Sequence, residues 1–142
     1  MARPFAAPIE LLRRAKLRPT RQRMALAQLL FQGAEGHRHI TAEQLHAEAK
    51  SRGVAVSLAT VYNALHQFTT AGLLREVVVD ATRSYFDTNA ADHHHFYFEE
   101  TGALADIPHD AVAVTMMPKP PSGTAVKRVD VIIRVSGDGS GA

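Results

Sequence analysis

The sequence predicts an α+β chain, with helices in its first half and strands after them, and three observations lead to that class. Apolar residues recur at steps of three and four up to about residue 72 and then switch to alternation. Helix caps and breakers punctuate the first half at the positions where that periodicity starts and stops. Charge divides along the chain: residues 1–90 carry 12 Lys/Arg against 7 Asp/Glu, and residues 91–142 carry 4 against 7.

Each element follows from local chemistry. Ile9, Leu12 and Ala15 sit at helical spacing and predict a helix up to Leu17, broken by Arg18-Pro19-Thr20. Thr20 is placed to cap a second helix over 21–31, which Gly33 and Gly36 close. Thr41-Ala-Glu-Gln44 has the form of a capping box and starts a third helix at Ala42, stopping near Gly53. From Ser57, the stripe Leu58, Val61, Leu65 and Phe68 defines a fourth helix, with Gly72 as its stop. Leu74–Asp80 and Arg83–Asp87 then read as a hairpin around a polar turn. Three or four helices followed by a hairpin is the layout of a winged helix. Beyond it, His95–Phe98, Ala103–Ile107 and Val126–Val135 read as strands, and Pro108 predicts a helix from His109 to about Met117. The expected organisation is a winged-helix domain over 1–88, a polar hinge over 89–92, a small α/β domain over 93–136, and a disordered tail over 137–142.

Composition removes several classes of chemistry. The chain has no cysteine, so disulfides, thiolate zinc, iron–sulfur clusters and cysteine nucleophiles are excluded, and any metal must use nitrogen and oxygen donors. No stretch approaches the roughly 18 apolar residues of a membrane span, so a cytoplasmic protein is expected. The first 26 residues hold seven basic side chains and one acid, which suits phosphate neutralisation on a nucleic acid or, equally, a solvated basic face. With its apolar stripe turned to the core, the fourth helix leaves Ser57, Ala59, Thr60, Tyr62 and Asn63 outward. Asn pairs bidentately with adenine, and small apolar groups meet thymine methyls. Arg21 and Arg23 read as phosphate contacts.

His93-His94-His95 is the strongest chemical signal. On an extended strand His93 and His95 point one way and His94 the other, so the first and third can converge on one ion. Lone His37, His46, His66 and His109 read as structural or solvated.

The segment Ser57-Leu-Ala-Thr-Val-Tyr-Asn-Ala-Leu-His-Gln-Phe-Thr-Thr-Ala-Gly-Leu-Leu74, with Leu17-Arg-Pro-Thr-Arg-Gln-Arg23 before it and the histidine run after it, resembles the ferric uptake regulator family over roughly residues 10–135. Gly72-Leu-Leu-Arg-Glu-Val, Tyr85-Phe-Asp-Thr-Asn89 and His95-Phe-Tyr are most similar to its iron-response branch. The resemblance implies a homodimeric repressor or activator on a double-stranded operator. It places Arg18 in the minor groove and Tyr62 and Asn63 in the major groove. The wider family often has Arg where this chain has Asn63, which implies a different operator preference.

The same resemblance implies a sensory site of His39, Asp87, His93, His95 and Asp106, a mixed nitrogen and oxygen set that suits Fe(II), Mn(II) or Zn(II). An ion there would clamp the two halves together. Asp92, His94 and Asp130 stand near a second site of the relatives, where one further acidic ligand falls on Ala113. The branch implies haem at His93, His94 and His95, without the Cys-Pro motif that some members carry, and admits an enzyme of haem synthesis as the donor of that haem. Without cysteine-bound zinc, the dimerisation half must hold by packing, with Val129, Val131, Ile133 and Val135 as the expected cement. A peroxide-sensing or metal-activated repressor of the same family is the nearest alternative. A metal hydrolase leaves the basic segment unexplained and has no further positioned base, so no enzyme is expected. A haem-dependent binder of a protein partner is the third alternative.

Overall fold

In the computed structural model, residues 8–31 and 37–137 are described. The chain divides into two units, Met1–Ala91 and Asp92–Ala142.

The first unit holds helices α1 (Pro8–Arg14), α2 (Arg21–Phe31), α3 (Ala42–Ser51) and α4 (Leu58–Thr70), with strands β1 (His39–Ile40), β2 (Arg75–Asp80) and β3 (Arg83–Asp87). Leu12, Leu26, Leu30, Leu45, Val61, Leu65 and Phe68 form its core together with Phe86 from the sheet. The helix ends obey the capping chemistry of the sequence. Gln44 N–H donates to Thr41 Oγ1 at 3.1 Å while Thr41 N–H donates to Gln44 Oε1 at 2.9 Å, the reciprocal capping box. Thr60 N–H donates to Ser57 Oγ at 3.1 Å and starts α4. At its other end Gly72 takes φ 86°, and Leu73 N–H returns to the Phe68 carbonyl at 2.9 Å. The same wrap ends α1 without a glycine: Lys16 sits at φ 62° and Leu17 N–H reaches the Leu12 carbonyl at 2.8 Å.

The sheet of this unit has the antiparallel order β1-β3-β2. The two-residue β1, which the sequence did not announce, pairs His39 with Asp87 and Ile40 with Phe86. The β2–β3 turn is held by Asp80, whose Oδ1 accepts from Thr82 N–H at 2.9 Å. That hydrogen bond holds the Asp80 carboxyl below its usual range. Gly33 and Gly36 lie outside the described residues, as does all of the expected tail beyond 137.

The second unit holds β4 (His94–Phe98), β5 (Leu104–Ile107), a single 3-10 turn (His109–Ala111) and β6 (Ile132–Val135). Its sheet has the order β5-β4-β6, with β4 antiparallel to β5 and parallel to β6. Two expectations fail here. The helix over 109–117 is replaced by the 3-10 turn and irregular chain. β-Branched Val112, Val114 and Thr115 disfavour a helix, Pro118 forbids its extension, and a piece so short is marginal alone. The strand expected over 126–135 shrinks to four residues, because β4 offers only five residues to pair with. Val129 and Val131 are half-buried and Ile133 is exposed. No helix among the described residues is long and apolar enough to cross a membrane.

Candidate metal centre and nucleic-acid interface

Strand alternation builds the histidine site of the second unit. His93, just before β4, and His95 and Tyr97 along it are buried, while Phe96 and Phe98 are exposed. His95 lies directly across from Asp106 on β5. Both histidines therefore reach one carboxylate: His93 Nε2 is 3.1 Å and His95 Nε2 3.3 Å from Asp106 Oδ1. The two imidazole centroids are 4.5 Å apart. Two donors each about 2.1 Å from one ion lie roughly 3.0 Å apart at a right angle and roughly 3.4 Å apart at a tetrahedral one. Both nitrogen-to-carboxylate distances fall in that range, and the chemistry of the donors fits Fe(II), Mn(II) or Zn(II).

In the first unit, the β1–β3 register carries His39 to Asp87, with Nε2 3.1 Å from Oδ2. Asp87 is wholly buried, and its other oxygen accepts from Asn89 N–H at 2.8 Å. One carboxylate oxygen is thereby fixed and the other is presented to the imidazole.

The further set of Asp92, His94 and Asp130 does not form a converging group among the described residues. Asp130 takes Arg128 Nε at 2.9 Å, and His94 Nδ1 accepts from Val131 N–H at 3.1 Å. His94 lies on the face of the strand opposite His93 and His95.

The DNA-reading candidates lie in the first unit. Ala59 and Asn63 are exposed on α4 opposite its buried face of Val61, Ala64, Leu65 and Phe68. Arg18 and Arg21 are exposed just before α2 and at its first residue. Arg18, Thr20, Gln22, Thr60, Asn63 and Gln67 line a cleft of about 440 Å³. Ser57 and Thr60 spend their hydroxyls partly on each other, with Ser57 Oγ donating to Thr60 Oγ1 at 2.9 Å. Arg23 is engaged rather than free: it donates to Gln67 Oε1 at 3.2 and 2.7 Å and to the Arg18 carbonyl at 2.9 Å. Tyr62 donates its phenol to Glu43 Oε2 at 2.8 Å, and this bond to an acid pushes the phenol's pKa up. Sequence reading missed Glu43 and Gln67. Gln67 stands one helical turn beyond Asn63, which is a usable signal; Glu43 is 19 residues from its partner and gave none.

The model of the ferric uptake regulator family matches residues 14–132. The chain belongs to the ferric uptake regulator family. Members of this family are transcriptional regulators, not enzymes. Among its curated relatives, the peroxide-responsive repressor PerR of Staphylococcus epidermidis is 33% identical over 95 residues, which are 67% of this chain and 61% of that protein. PerR of Staphylococcus aureus is likewise 33% identical, over 67% of this chain and 62% of that protein. The match therefore spans about three fifths of the length of these relatives. Among solved structures, the ferric uptake regulator of Pseudomonas aeruginosa with manganese aligns at a TM-score of 0.64 and 25% identity, covering 89% of this chain and 94% of that one. The Vibrio cholerae regulator shares the fold at a TM-score of 0.67 and 22% identity, over 90% and 98% of the two chains.

Proposed function

We propose that this chain is a cytoplasmic, homodimeric transcriptional regulator that binds a double-stranded DNA operator and whose affinity is set by metal or haem, within the iron-response branch of its family. The observation that carries the reading is the convergence of two buried imidazoles on the Asp106 carboxylate at 3.1 and 3.3 Å. The proposed metal ligands are His93, His95 and Asp106, with His39 and Asp87 as further ligands. A bound Fe(II), Mn(II) or Zn(II) would supply the positive charge that holds these donors in one arrangement. The chain's own contribution is to pre-set the donor spacing through two cross-strand registers. The number of metal equivalents bound per protomer decides whether the five serve one ion or two.

For DNA, the proposed readers are Arg18 toward the minor groove and Asn63 and Tyr62 toward the major groove, with Arg21, Ser57 and Thr60 around them. Self-association is supported by an apolar strip on one face of the second sheet, where Phe96, Phe98 and Ile133 are 36%, 40% and 38% exposed. The branch assignment rests on the resemblance of Gly72-Leu-Leu-Arg-Glu-Val, Tyr85-Phe-Asp-Thr-Asn89 and His95-Phe-Tyr and on Asn63, while the missing cysteines count against the peroxide sensor. Haem bound through the His93–His95 run, and its delivery by an enzyme of haem synthesis, belong to that assignment. The second reading, a peroxide-responsive repressor, is favoured by the 33% identity to the staphylococcal proteins.

The test is fluorescence anisotropy on duplexes that the protein itself selects from randomised DNA. Chelated, Mn(II)-loaded and hemin-treated protein are compared, with Soret spectra recorded alongside. Release of DNA by hemin, with a histidine-type Soret band, is the expected outcome. DNA binding that requires Fe(II), ignores hemin and is lost on peroxide treatment would replace the iron-response reading with the second. In either case His95→Ala should lower metal affinity at least about tenfold, since even losing an outer-shell partner of a ligand costs about that much.

A further inference from the structure

We propose that Arg23 is a positioning residue that fixes the spacing between the Arg18 segment and the reading face of α4, and is not a phosphate contact. This rests on the DNA-reading function proposed above. Of the five N–H donors of a guanidinium, three are committed: two meet Gln67 Oε1 and one meets the Arg18 main-chain carbonyl. Gln67 lies one turn from Asn63 on α4. Arg23 itself is tied to the start of α2 by its own N–H, which donates to Thr20 Oγ1 at 3.2 Å. One side chain therefore links the segment that carries Arg18 to the helix that carries Asn63.

The linkage matters because of DNA geometry. A sugar–phosphate strand separates the minor groove from the major groove, so a protein reading both from adjacent elements must leave room for that ridge. The cleft of about 440 Å³ between Arg18 and Asn63, lined also by Thr20, Gln22, Arg23 and Thr60, is the space this chain provides. Its width is set where Arg23 bridges Gln67 to the Arg18 carbonyl. Lysine would keep the charge and lose the fork, since an ammonium cannot hold both acceptors in one plane.

The test compares wild type, Arg23→Lys, Gln67→Leu and the double variant on a duplex selected by the wild type and on a scrambled duplex, across a salt series. Positioning predicts that each single variant lowers the ratio of selected to scrambled affinity by about tenfold, as coupled neighbours do. The salt slope stays unchanged, and the double variant loses no more than either single one. A phosphate contact predicts that Arg23→Lys keeps the ratio and that Gln67→Leu is silent; either result overturns the proposal. Gln67 is exposed, so its replacement leaves the core intact and keeps the test readable even where Arg23→Lys unfolds. Failure of the wild type to select any duplex would remove the DNA-reading function itself, and is visible before any variant is made.

Discussion

The ends of α1 and α4 make the same turn with different residues, and the difference has a measurable cost. Gly72 adopts φ 86° with open space where a Cβ would be, so Gly72→Ala meets no clash and pays only for the left-handed backbone. The expected loss is about 1 kcal/mol in denaturant unfolding. Lys16 already bears that burden at φ 62°. Lys16→Gly should therefore leave stability equal or raise it by up to about 1 kcal/mol, and a clear loss would show that the lysine side chain contributes something the wrap does not explain. Residue identity also governs the metal site. His93 and His95 are legible in the sequence because strand periodicity alone puts them on one face. Asp106 and Asp87 are two acids among fourteen, and composition gives no reason to choose them. Only resemblance singled them out, and the cross-strand registers His95–Asp106 and His39–Asp87 supply the physical cause.

Between elements, Arg38 is the tie that local patterns do not reveal. Its guanidinium donates to the Leu29 carbonyl near the end of α2 at 2.7 Å and to both carboxylate oxygens of Glu48 on α3 at 3.1 and 2.8 Å. The hydrogen bond from Arg38 holds the Glu48 carboxyl below its ordinary value of 4.5. A carboxyl depressed in the folded state contributes stability that is present above 4.5 and lost as the pH falls through the lowered folded value. Wild type should therefore lose more stability on acidification below 4.5 than Glu48→Gln does, in parallel urea titrations. Identical slopes would mean that the pair is screened by solvent, as partly exposed pairs often are. The elements that failed in the sequence reading share a cause. The 109–117 helix and the first half of the last strand have suitable apolar content, but most of their residues are exposed, so little packing rewards their order.

For the whole molecule, the face of the second sheet carrying Phe96, Phe98 and Ile133 is where the proposed homodimer can be tested. Phe96 and Ile133 are direct cross-strand partners, so one substitution places a charge at the centre of the strip. Phe96→Asp should convert a dimer to a monomer in sedimentation velocity, while the Soret and metal responses of His93 and His95 on the opposite face remain. A protein that stays dimeric would place self-association elsewhere.

By itself, the sequence determined what local physics can determine: four helices with their caps, a following hairpin, the sidedness of the histidine run and the exclusion of thiolate chemistry. Those follow from interactions within a few residues along the chain. Tertiary structure alone decided the strand registers that bring Asp106 and Asp87 to histidines, that Arg23 and Tyr62 are already engaged with Gln67 and Glu43, and that residues 112–131 stay irregular. Each of these depends on partners distant in sequence, whose approach is set by strand register and helix packing and leaves no periodic trace in the chain.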